Sequence, residues 1–349
     1  MNFDVVIVGG GPAGCRAGEI ISKSGHKVLI VEEHPEIGIP TQCTGFVSKK
    51  IGKIPNNIIV NEIKWAKFIC KNEYFEVESK EPFYVLDRAG YDKFRETEAV
   101  KAGVQFKYST RFIDYQNEEV VTSDGNFKTK LIVGADGPNS SVAKRFGLEL
   151  PKGQYLLAQV CATGAYDSDI AELWFGKNIA PRAFAWSVPE SDELSRIGLM
   201  GHVNPVQFLE NFIKMRAGEK TQISNKVGDT IRYGLIKKSV TDRVLLVGDA
   251  AAQVKPFSAG GLIYGKIGAE IAGEASVKTL EKNDFSEKFL MKNYEKRWKK
   301  RLGGSIRKGL MMKRFFQKIE NSPASFKVLR ITRMMTLSSI IDADFLGKG

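Results

Sequence analysis

"FDVVIVGGGPAG" (residues 3–14) is the stretch that decides the fold. Its first half, rich in valine, predicts a short buried strand, and its glycines follow the G-x-G-x-x-G pattern. Residues 13–24 then predict a helix of small side chains, and "KVLIV" (27–31) predicts a second strand. This order is that of a β-α-β unit. Because the helix N-terminus presents unpaired N–H groups, such a unit is suited to bind a dinucleotide diphosphate.

The small residues of this turn have separate tasks. We expect Gly9 to make the tight turn, Gly11 to let the diphosphate reach the backbone, and Gly14 to let helix and strand pack closely. Ala13 belongs to the same binding turn. Glu32 ends the second strand 18 residues after Gly14, near the spacing at which an acidic residue binds a ribose hydroxyl. NAD(P) and FAD share this pattern, so the unit alone leaves the dinucleotide open.

Two later stretches repeat an apolar strand that runs into a turn containing Asp: "KTKLIVGADG" (128–137) and "RVLLVGDAAA" (243–252). Between them, residues 155–201 form short β segments broken by Gly, Asp and Pro, which predicts an antiparallel sheet. Lys71-Asn72 predicts a hairpin. We therefore predict an α/β (α+β) fold: a Rossmann-like nucleotide domain interleaved with an antiparallel-sheet substrate domain and followed by a helical region. The predicted boundaries are 1–60, 83–150 and 240–285 for the nucleotide domain, 61–82 and 151–239 for the sheet domain, and 286–349 for the helical region.

Composition narrows the class of protein. The 349 residues are 43% hydrophobic, enough for a sizeable core, yet no apolar run approaches the roughly 18 residues of a membrane span. With no basic leader at the N-terminus, we expect a cytoplasmic protein. The four cysteines have no C-x-x-C spacing, so neither a disulfide framework nor a metal site is expected.

The basic charge is concentrated in the C-terminal region. Of the formal net charge of +12, residues 286–349 carry +11, from 16 Lys and Arg against 5 Asp and Glu. Apolar residues recur there at helical spacing: Trp298, Leu302, Ile306, Leu310, Met311, Met312, Phe315, Phe316 and Ile319. This pattern is typical of a helix lying on an anionic membrane surface, and equally of a helix packed on the protein core. A nucleic-acid partner is not expected, because no recognition module accompanies the charge.

Three motifs together resemble one flavoprotein family. The N-terminal turn, "VGADGPNSSV" (133–142) and "RVLLVGDAAAQVKPFSAGGL" (243–262) resemble the family typified by para-hydroxybenzoate hydroxylase, which includes hydroxylases, flavin halogenases and geranylgeranyl reductases. The resemblance covers roughly residues 1–290 and implies FAD as the cofactor. It also implies that Asp249 binds the ribityl chain and that Asp136 and Gly137 close the pyrophosphate region.

The same resemblance implies further flavin contacts. Arg88, in "VLDRAGYDKF", matches an arginine that the family sets against the flavin. Gly260, Gly261 and Leu262 would begin a helix whose positive end points at the flavin ring and favours its reduced form. Phe112 is a further expected contact, on the adenine side, because we place it on the strand that follows the helix of Arg88.

Two segments resemble the geranylgeranyl reductases in particular. "PEIGIPTQCTG" (35–45) is similar to a cysteine-containing loop of the archaeal enzymes, which implies Cys43 at the reaction face with Thr44 and Phe46 beside the flavin. "FAWSVP" (184–189) is similar to their prenyl-pocket motif, which implies that the substrate side is lined by Phe184, Trp186 and Pro189. Halogenases carry a similar aromatic motif. As alternatives, Trp186 is a core aromatic of a β-sheet, and Cys43 is a small buried hydrophobe.

The leading hypothesis is an FAD-dependent reductase that saturates isolated C=C bonds of isoprenoid (geranylgeranyl) chains of membrane-lipid precursors. Such a reaction needs a proton donor, for which Cys43 is the candidate and His202 and Lys255 are weaker ones. The absence of a second glycine motif predicts electrons from briefly bound NAD(P)H or from a ferredoxin-like protein. A lipid substrate predicts a peripheral location at the membrane surface. The alternatives are a flavin-dependent aromatic monooxygenase or halogenase and a membrane-associated electron carrier or redox sensor without catalysis.

Overall fold

The structure, a computed structural model, describes residues 2–41 and 43–319 and divides the chain into two compact units. The first unit contains residues 2–39, 89–153 and 232–307, and the second contains 40–88, 154–231 and, in the described part, 308–319. Each unit is thus assembled from segments that are distant in sequence.

The strands are β1 (Asn2–Val8), β2 (Val28–Val31), β3 (Phe46–Val47), β4 (Ile59–Cys70), β5 (Glu73–Leu86), β6 (Gln105–Lys107), β7 (Phe112–Gln116), β8 (Glu119–Thr122), β9 (Gly125–Gly134), β10 (Gly153–Thr163), β11 (Ile170–Phe175), β12 (Ala185–Pro189), β13 (Leu194–Gly201), β14 (Ile223–Tyr233), β15 (Val240–Thr241) and β16 (Val244–Leu246). The α-helices are α1 (Pro12–Lys23), α2 (Arg88–Lys101), α3 (Ser141–Arg145), α4 (Pro205–Ala217), α5 (Leu262–Lys282), α6 (Glu287–Leu290) and α7 (Lys296–Ile319).

The sheet of the first unit has the order β15-β16-β9-β1-β2-β6, with β7 and β8 attached beside β9. Strand β1 pairs in parallel with β2 and β9, and β9 pairs in parallel with β16. The central strands are apolar and almost completely buried, as expected for a parallel sheet covered on both faces. Since parallel strands end at the same edge, the turns after β1, β2, β9 and β16 meet there, which confirms the predicted Rossmann-like architecture.

The sheet of the second unit has the order β14-β10-β13-β12-β11-β4-β5-β3 and is mostly antiparallel, with β11 and β4 parallel. Lys71 and Asn72 connect β4 to β5, as predicted. One face of the sheet packs on α4. The core between them is formed by alternate residues of β10 and β13, including Ala158, Val160, Ile197 and Leu199, with Leu209, Phe212 and Ile213 of α4.

Some segments lie differently from the sequence-based expectation. Residues 40–60 belong to the second unit, because β3 pairs with β5 there. Phe112 begins β7, whereas the strand that directly follows α2 is β6, so the reason given for its adenine contact was wrong. The short strand β6 is the edge strand beside β2. It was missed because three residues, none of them buried, give almost no periodic signal.

The C-terminal region begins as a helical segment, as predicted. Trp298, Leu302 and Ile306 are at most 2% exposed, so this part of the apolar side of α7 is packed inside the protein and cannot contact lipid. Further along, Met311 is 67% exposed and Phe315 is 46% exposed. Residues 320–349 and the side chains of Phe316 and Ile319 lie outside the described residues. No helix in the described ranges is both long and apolar enough to span a bilayer.

A buried carboxylate joins the helices of the first unit. The side chain of Glu19 on α1 is 4% exposed and accepts hydrogen bonds from Arg16 (3.1 Å), Lys23 (2.6 Å) and Arg95 of α2. Arg16 also donates to Glu270 of α5 at 2.9 Å. Burial acts to raise the pKa of Glu19, but the Lys23 hydrogen bond and the charges of Arg95 and Arg16 outweigh it and lower the pKa to about 2.

This network makes stability depend on pH. The pKa of Glu19 is below its ordinary value of 4.5, so its contribution is complete above about pH 4.5 and disappears as the pH falls toward about 2. As the pH falls through this interval, we expect the unfolding free energy of the wild-type protein to decrease by up to about 3 kcal/mol more than that of Glu19→Gln. Urea unfolding at about pH 6 and about pH 3, between which about 2 kcal/mol of this difference is expected, measures it. Equal losses in the two proteins would contradict it.

Candidate active site

The glycine turn after β1 combines tight packing with one open position. A Cβ on Gly9, whose φ is +101°, would lie 2.5 Å from the carbonyl oxygen of Ala135, and one on Gly14 would lie 2.1 Å from that of Gly9. A Cβ on Gly11 would meet no atom within 4 Å. Gly11 caps α1, which begins at Pro12 with no side-chain cap, and Ala13 follows in the first turn. The turn therefore leaves room for a ligand at Gly11, directly at the helix N-terminus.

Glu32 is held beside this turn. Its carboxylate accepts from the backbone N–H of Gly10 at 2.7 Å and from that of His34 at 2.9 Å, and the side chain is almost completely buried. The ring Nδ1 of His34 lies 2.7 Å from the same carboxylate. A carboxylate has about four acceptor positions, so Glu32 retains capacity for a ribose hydroxyl.

Asp136 has a partner inside the protein that sequence reasoning missed. It follows β9, and its carboxylate accepts from Ser140 Oγ (2.6 Å) and from the N–H of Val142 (3.0 Å) at the start of α3. Burial raises the pKa of Asp136 above its ordinary value, and these hydrogen bonds oppose the rise. Gly137, with φ of +76°, has open space at its Cβ position. Asp136 therefore holds the turn through these two hydrogen bonds, and Gly137 is the open backbone position of the turn.

A second helix N-terminus follows β16 along the chain. Asp249 is in a 3₁₀ turn (Gly248–Ala251), and α5 begins at Leu262 after Gly261. A Cβ on Gly261 would lie 2.8 Å from Asp249 Oδ1, so a side chain there would have to displace the Asp249 carboxylate. Gly260 accepts a backbone hydrogen bond from Lys255, whose ammonium lies 5.9 Å from the ring centre of Tyr264. The 21 residues of α5 place a positive dipole end at this turn.

These features fit FAD. The space at Gly11 accepts a diphosphate, the anchored Glu32 accepts a ribose hydroxyl, and the start of α5 provides an electropositive end for the negative charge of a reduced flavin. The predicted turns after β1, β2, β9 and β16 are thus brought to one edge of the sheet of the first unit.

In the second unit, the Cys43 loop (residues 43–45) has one hydrogen bond within it and two to strands of the sheet. The N–H of Gly45 donates to Cys43 Sγ at 3.4 Å. Thr44 Oγ1 donates to Gln159 Oε1 at 2.6 Å, and the Thr44 carbonyl accepts from Arg196 Nη1 at 2.6 Å. Cys43 itself is partly exposed. The loop therefore presents the thiol from a fixed backbone.

Trp186 is connected to the same loop. Its Nε1 donates to Gln159 Oε1 at 3.1 Å, so Gln159 joins Thr44 to Trp186. The indole passes over Gly198, where a Cβ would lie only 2.4 Å from it. Phe184 packs edge-on against the indole with ring centres 6.2 Å apart. The structure thus brings Thr44, Phe184 and Trp186 together.

Other predicted residues of this unit lie apart. Pro189 is three residues after Trp186 on β12, so strand alternation places its side chain on the other face from the aromatic pair. Pro189 is buried, and its carbonyl accepts a hydrogen bond from Asn61. Phe46 stacks on Phe83 at 5.1 Å, within the β3–β5 pairing. Arg88 begins α2, and its Cγ lies 3.1 Å from the Cβ position of Gly45.

His202, a weaker acid candidate, is in a different environment. Its ring lies 5.1 Å from that of Tyr155, and within the described ranges Nε2 is buried without a hydrogen-bond partner. Burial, and then the charge of Lys313, lower the pKa of His202, which favours the neutral ring. The ring contact of His202 in the described residues is thus with Tyr155 and not with the Cys43 loop.

Sequence reasoning missed Gln159 and Arg196. Both are almost completely buried polar residues within otherwise apolar strands, in "LLAQVCA" (156–162) and "SRIGLMG" (195–201). A buried charge or amide in a strand needs a partner, and that requirement was the available signal.

Gly198→Ala is expected to displace Trp186. The added methyl would occupy the position of the indole, so the bond to Gln159 breaks and the protein loses about 1–3 kcal/mol of unfolding free energy. Urea unfolding and tryptophan emission measure the change. Gly201→Ala on the same strand is the matched control, because its Cβ would meet only the Val203 carbonyl at 3.9 Å. Equal effects of the two substitutions would contradict the prediction.

Comparisons with known proteins agree with this geometry. A family model described as an NAD(P)-binding Rossmann-like domain matches residues 7–46. The chain is 34% identical to an uncharacterized protein of Methanocaldococcus jannaschii over 98% of this chain and 90% of that protein. It is 32% identical to the digeranylgeranylglycerophospholipid reductase of the same organism, over 86% of this chain and 83% of that enzyme. A geranylgeranyl bacteriochlorophyll reductase-like protein from Thermoplasma acidophilum has a crystal structure with a TM-score of 0.84 at 26% identity, covering 90% of this chain and 87% of that one.

Proposed function

Since the chain belongs to the geranylgeranyl reductase family of FAD-dependent oxidoreductases, which act on C=C bonds, we propose that it saturates isolated double bonds in the geranylgeranyl chains of membrane-lipid precursors. The relative is a digeranylgeranylglycerophospholipid reductase, and its name supports this substrate class, a phospholipid that carries such chains. The Cys43 loop, bound through Gln159 to Trp186, is the observation that carries the proposal. It supports a site in which a thiol and an aromatic wall belong to one connected structure.

The space at Gly11, the Glu32 carboxylate and the start of α5 would hold FAD, which when bound and reduced would supply hydride for one carbon of the alkene. The chain then has to deliver a proton to the other carbon, because a carbanion on an isolated alkene is too unstable to accumulate. We assign that proton to the thiol of Cys43, which recovers it from water after each cycle. Phe184 and Trp186 would pack on the chain and exclude water, while the hydrogen bond from Gly45 N–H orients the sulfur.

Two partners belong to the same proposal. One is a donor that reduces FAD again after each double bond, either NAD(P)H or a ferredoxin-like protein. The other is an anionic membrane surface, which would contact the late part of α7, where Met311 is exposed beside Arg314. Sedimentation of the protein with anionic vesicles and with neutral vesicles tests this contact. Equal binding to both would contradict the proposed membrane contact.

Mass spectrometry of the lipid tests the function. The FAD-loaded protein, chemically reduced under anaerobic conditions, is incubated with a geranylgeranylated phospholipid. Mass gains of two hydrogens per reduced bond support the proposal. If the lipid is unchanged and the reduced flavin reacts rapidly only with oxygen, the proposal fails and the monooxygenase or halogenase alternative takes its place. If the lipid is unchanged and the reduced flavin does not react rapidly with oxygen, the electron-carrier alternative takes its place.

A further inference from the structure

We propose that Gln159 and Arg196 are positioning residues that hold the thiol of Cys43 at the reaction face. The inference rests on the proposed function, in which Cys43 donates the proton. Neither residue is adjacent to Cys43 in sequence, and each acts through Thr44.

The register of three neighbouring strands places both residues on one face of the sheet. Gln159 of β10 is opposite Gly198 of β13, which is opposite Trp186 of β12. Arg196 precedes Gly198 by two residues on the same strand, so its side chain is on the same face. The intervening residues pack on α4. The face with Gln159 and Arg196 is therefore the one on which the Cys43 loop lies.

The chemistry of its partners determines how the Gln159 amide is oriented. An indole N–H can only donate, so the atom 3.1 Å from Trp186 Nε1 must be the amide oxygen. The same oxygen accepts from the hydroxyl of Thr44. One oxygen thus fixes Trp186 and Thr44 relative to each other. Rotating the Gln159 amide so that its nitrogen took this position would break both hydrogen bonds.

Arg196 fixes the backbone of the loop. Its Nη1 donates to the carbonyls of Thr44 at 2.6 Å and Leu86 at 2.8 Å, and its Nε donates to Glu190 Oε1 at 2.5 Å. The guanidinium, in a side chain 10% exposed, therefore has an anionic partner on one edge and the loop on another. Lysine has no planar fork and could not make these bonds together.

Thr44 is consequently held by its side chain and by its carbonyl, and the residue before it is Cys43. Loss of either bond should let the loop open and expose the thiol. The access of Cys43 to a reagent therefore measures the positioning without any catalytic turnover.

Alkylation of FAD-loaded protein by iodoacetamide, followed by peptide mass spectrometry, gives the rate at Cys43 relative to Cys70, a partly exposed cysteine at the end of β4. We expect Gln159→Leu and Arg196→Met to raise this ratio about fivefold, the change that loss of one ordinary hydrogen bond causes in an open–closed equilibrium. Thr44→Val, which removes only the loop hydroxyl, should give a similar rise even if the buried substitutions prevent folding.

Ser187→Ala is the matched control. Ser187 is fully buried on the opposite face of β12 and bonds Ser195 at 2.9 Å, so its loss should lower the melting temperature without changing the alkylation ratio. The inference is overturned if the alkylation ratio is unchanged in Thr44→Val and in whichever of Gln159→Leu and Arg196→Met folds. An equal rise of the ratio in Ser187→Ala also overturns it. If the ratio rises as expected while Cys43→Ala still saturates lipid, the positioning stands and the role assigned to Cys43 fails.

Discussion

Gly11→Val is expected to leave the protein folded and to remove its binding of FAD. A Cβ at this position meets no protein atom within 4 Å, and φ of −65° with ψ of 176° is backbone that valine adopts. The added side chain would instead occupy the space through which a diphosphate reaches the start of α1. Losing two charge-assisted hydrogen bonds of about 1.5 kcal/mol each weakens FAD affinity about 100-fold or more.

Flavin absorbance after gel filtration, together with the melting temperature, measures both parts of this expectation. Gly304→Val, at an exposed position of α7, is the control, because its Cβ also meets nothing within 4 Å but is far in sequence from the binding turn. Gly14→Ala should behave differently and disrupt folding, since its methyl would lie 2.1 Å from the Gly9 carbonyl. Undiminished FAD binding by folded Gly11→Val would show that the diphosphate lies elsewhere.

Cys43→Ala is expected to keep FAD and to lose saturation of the lipid by about 10²- to 10⁴-fold, the usual contribution of a positioned proton donor. The loop should remain in place, because its bonds to Gln159 and Arg196 are made by Thr44. Single-turnover reoxidation of reduced flavin by the lipid, measured without oxygen, isolates this step.

Cys70→Ala provides the control, as Cys70 is a partly exposed cysteine of the same unit. It should retain the wild-type rate. A Cys43→Ala protein that reoxidises at the rate of Cys70→Ala would return Cys43 to the role of a small residue in a turn.

The parts of the fold that could be predicted are those specified locally. These parts are the glycine turn, the spacing to Glu32 and the hairpin at Lys71. Each depends on residues close in sequence, whose types indicate the backbone conformation that they adopt. FAD and the family followed from three such motifs together.

The parts that were missed depend on register between distant segments. Gln159 meets Trp186 because both pair with Gly198, and nothing in residues 156–162 alone specifies that pairing. Pro189 was grouped with Trp186 through the resemblance of "FAWSVP" to a prenyl-pocket motif, whereas strand alternation places the two side chains on opposite faces. Asp136 stays a predicted part of the pyrophosphate region, and only the fold of residues 140–142 shows that its carboxylate accepts from Ser140 and Val142 at the start of α3.

The interleaving of the two units sets the order in which the chain can fold during synthesis. Strand β1 pairs with β9, β9 pairs with β16, and α1 packs against α5, which ends at Lys282. At about 5–20 residues per second, the ribosome takes tens of seconds to supply that helix after β1 emerges. Over that interval β9 lacks its partner β16 and α1 lacks α5, so we expect slow folding and a need for chaperone protection until α5 has been made.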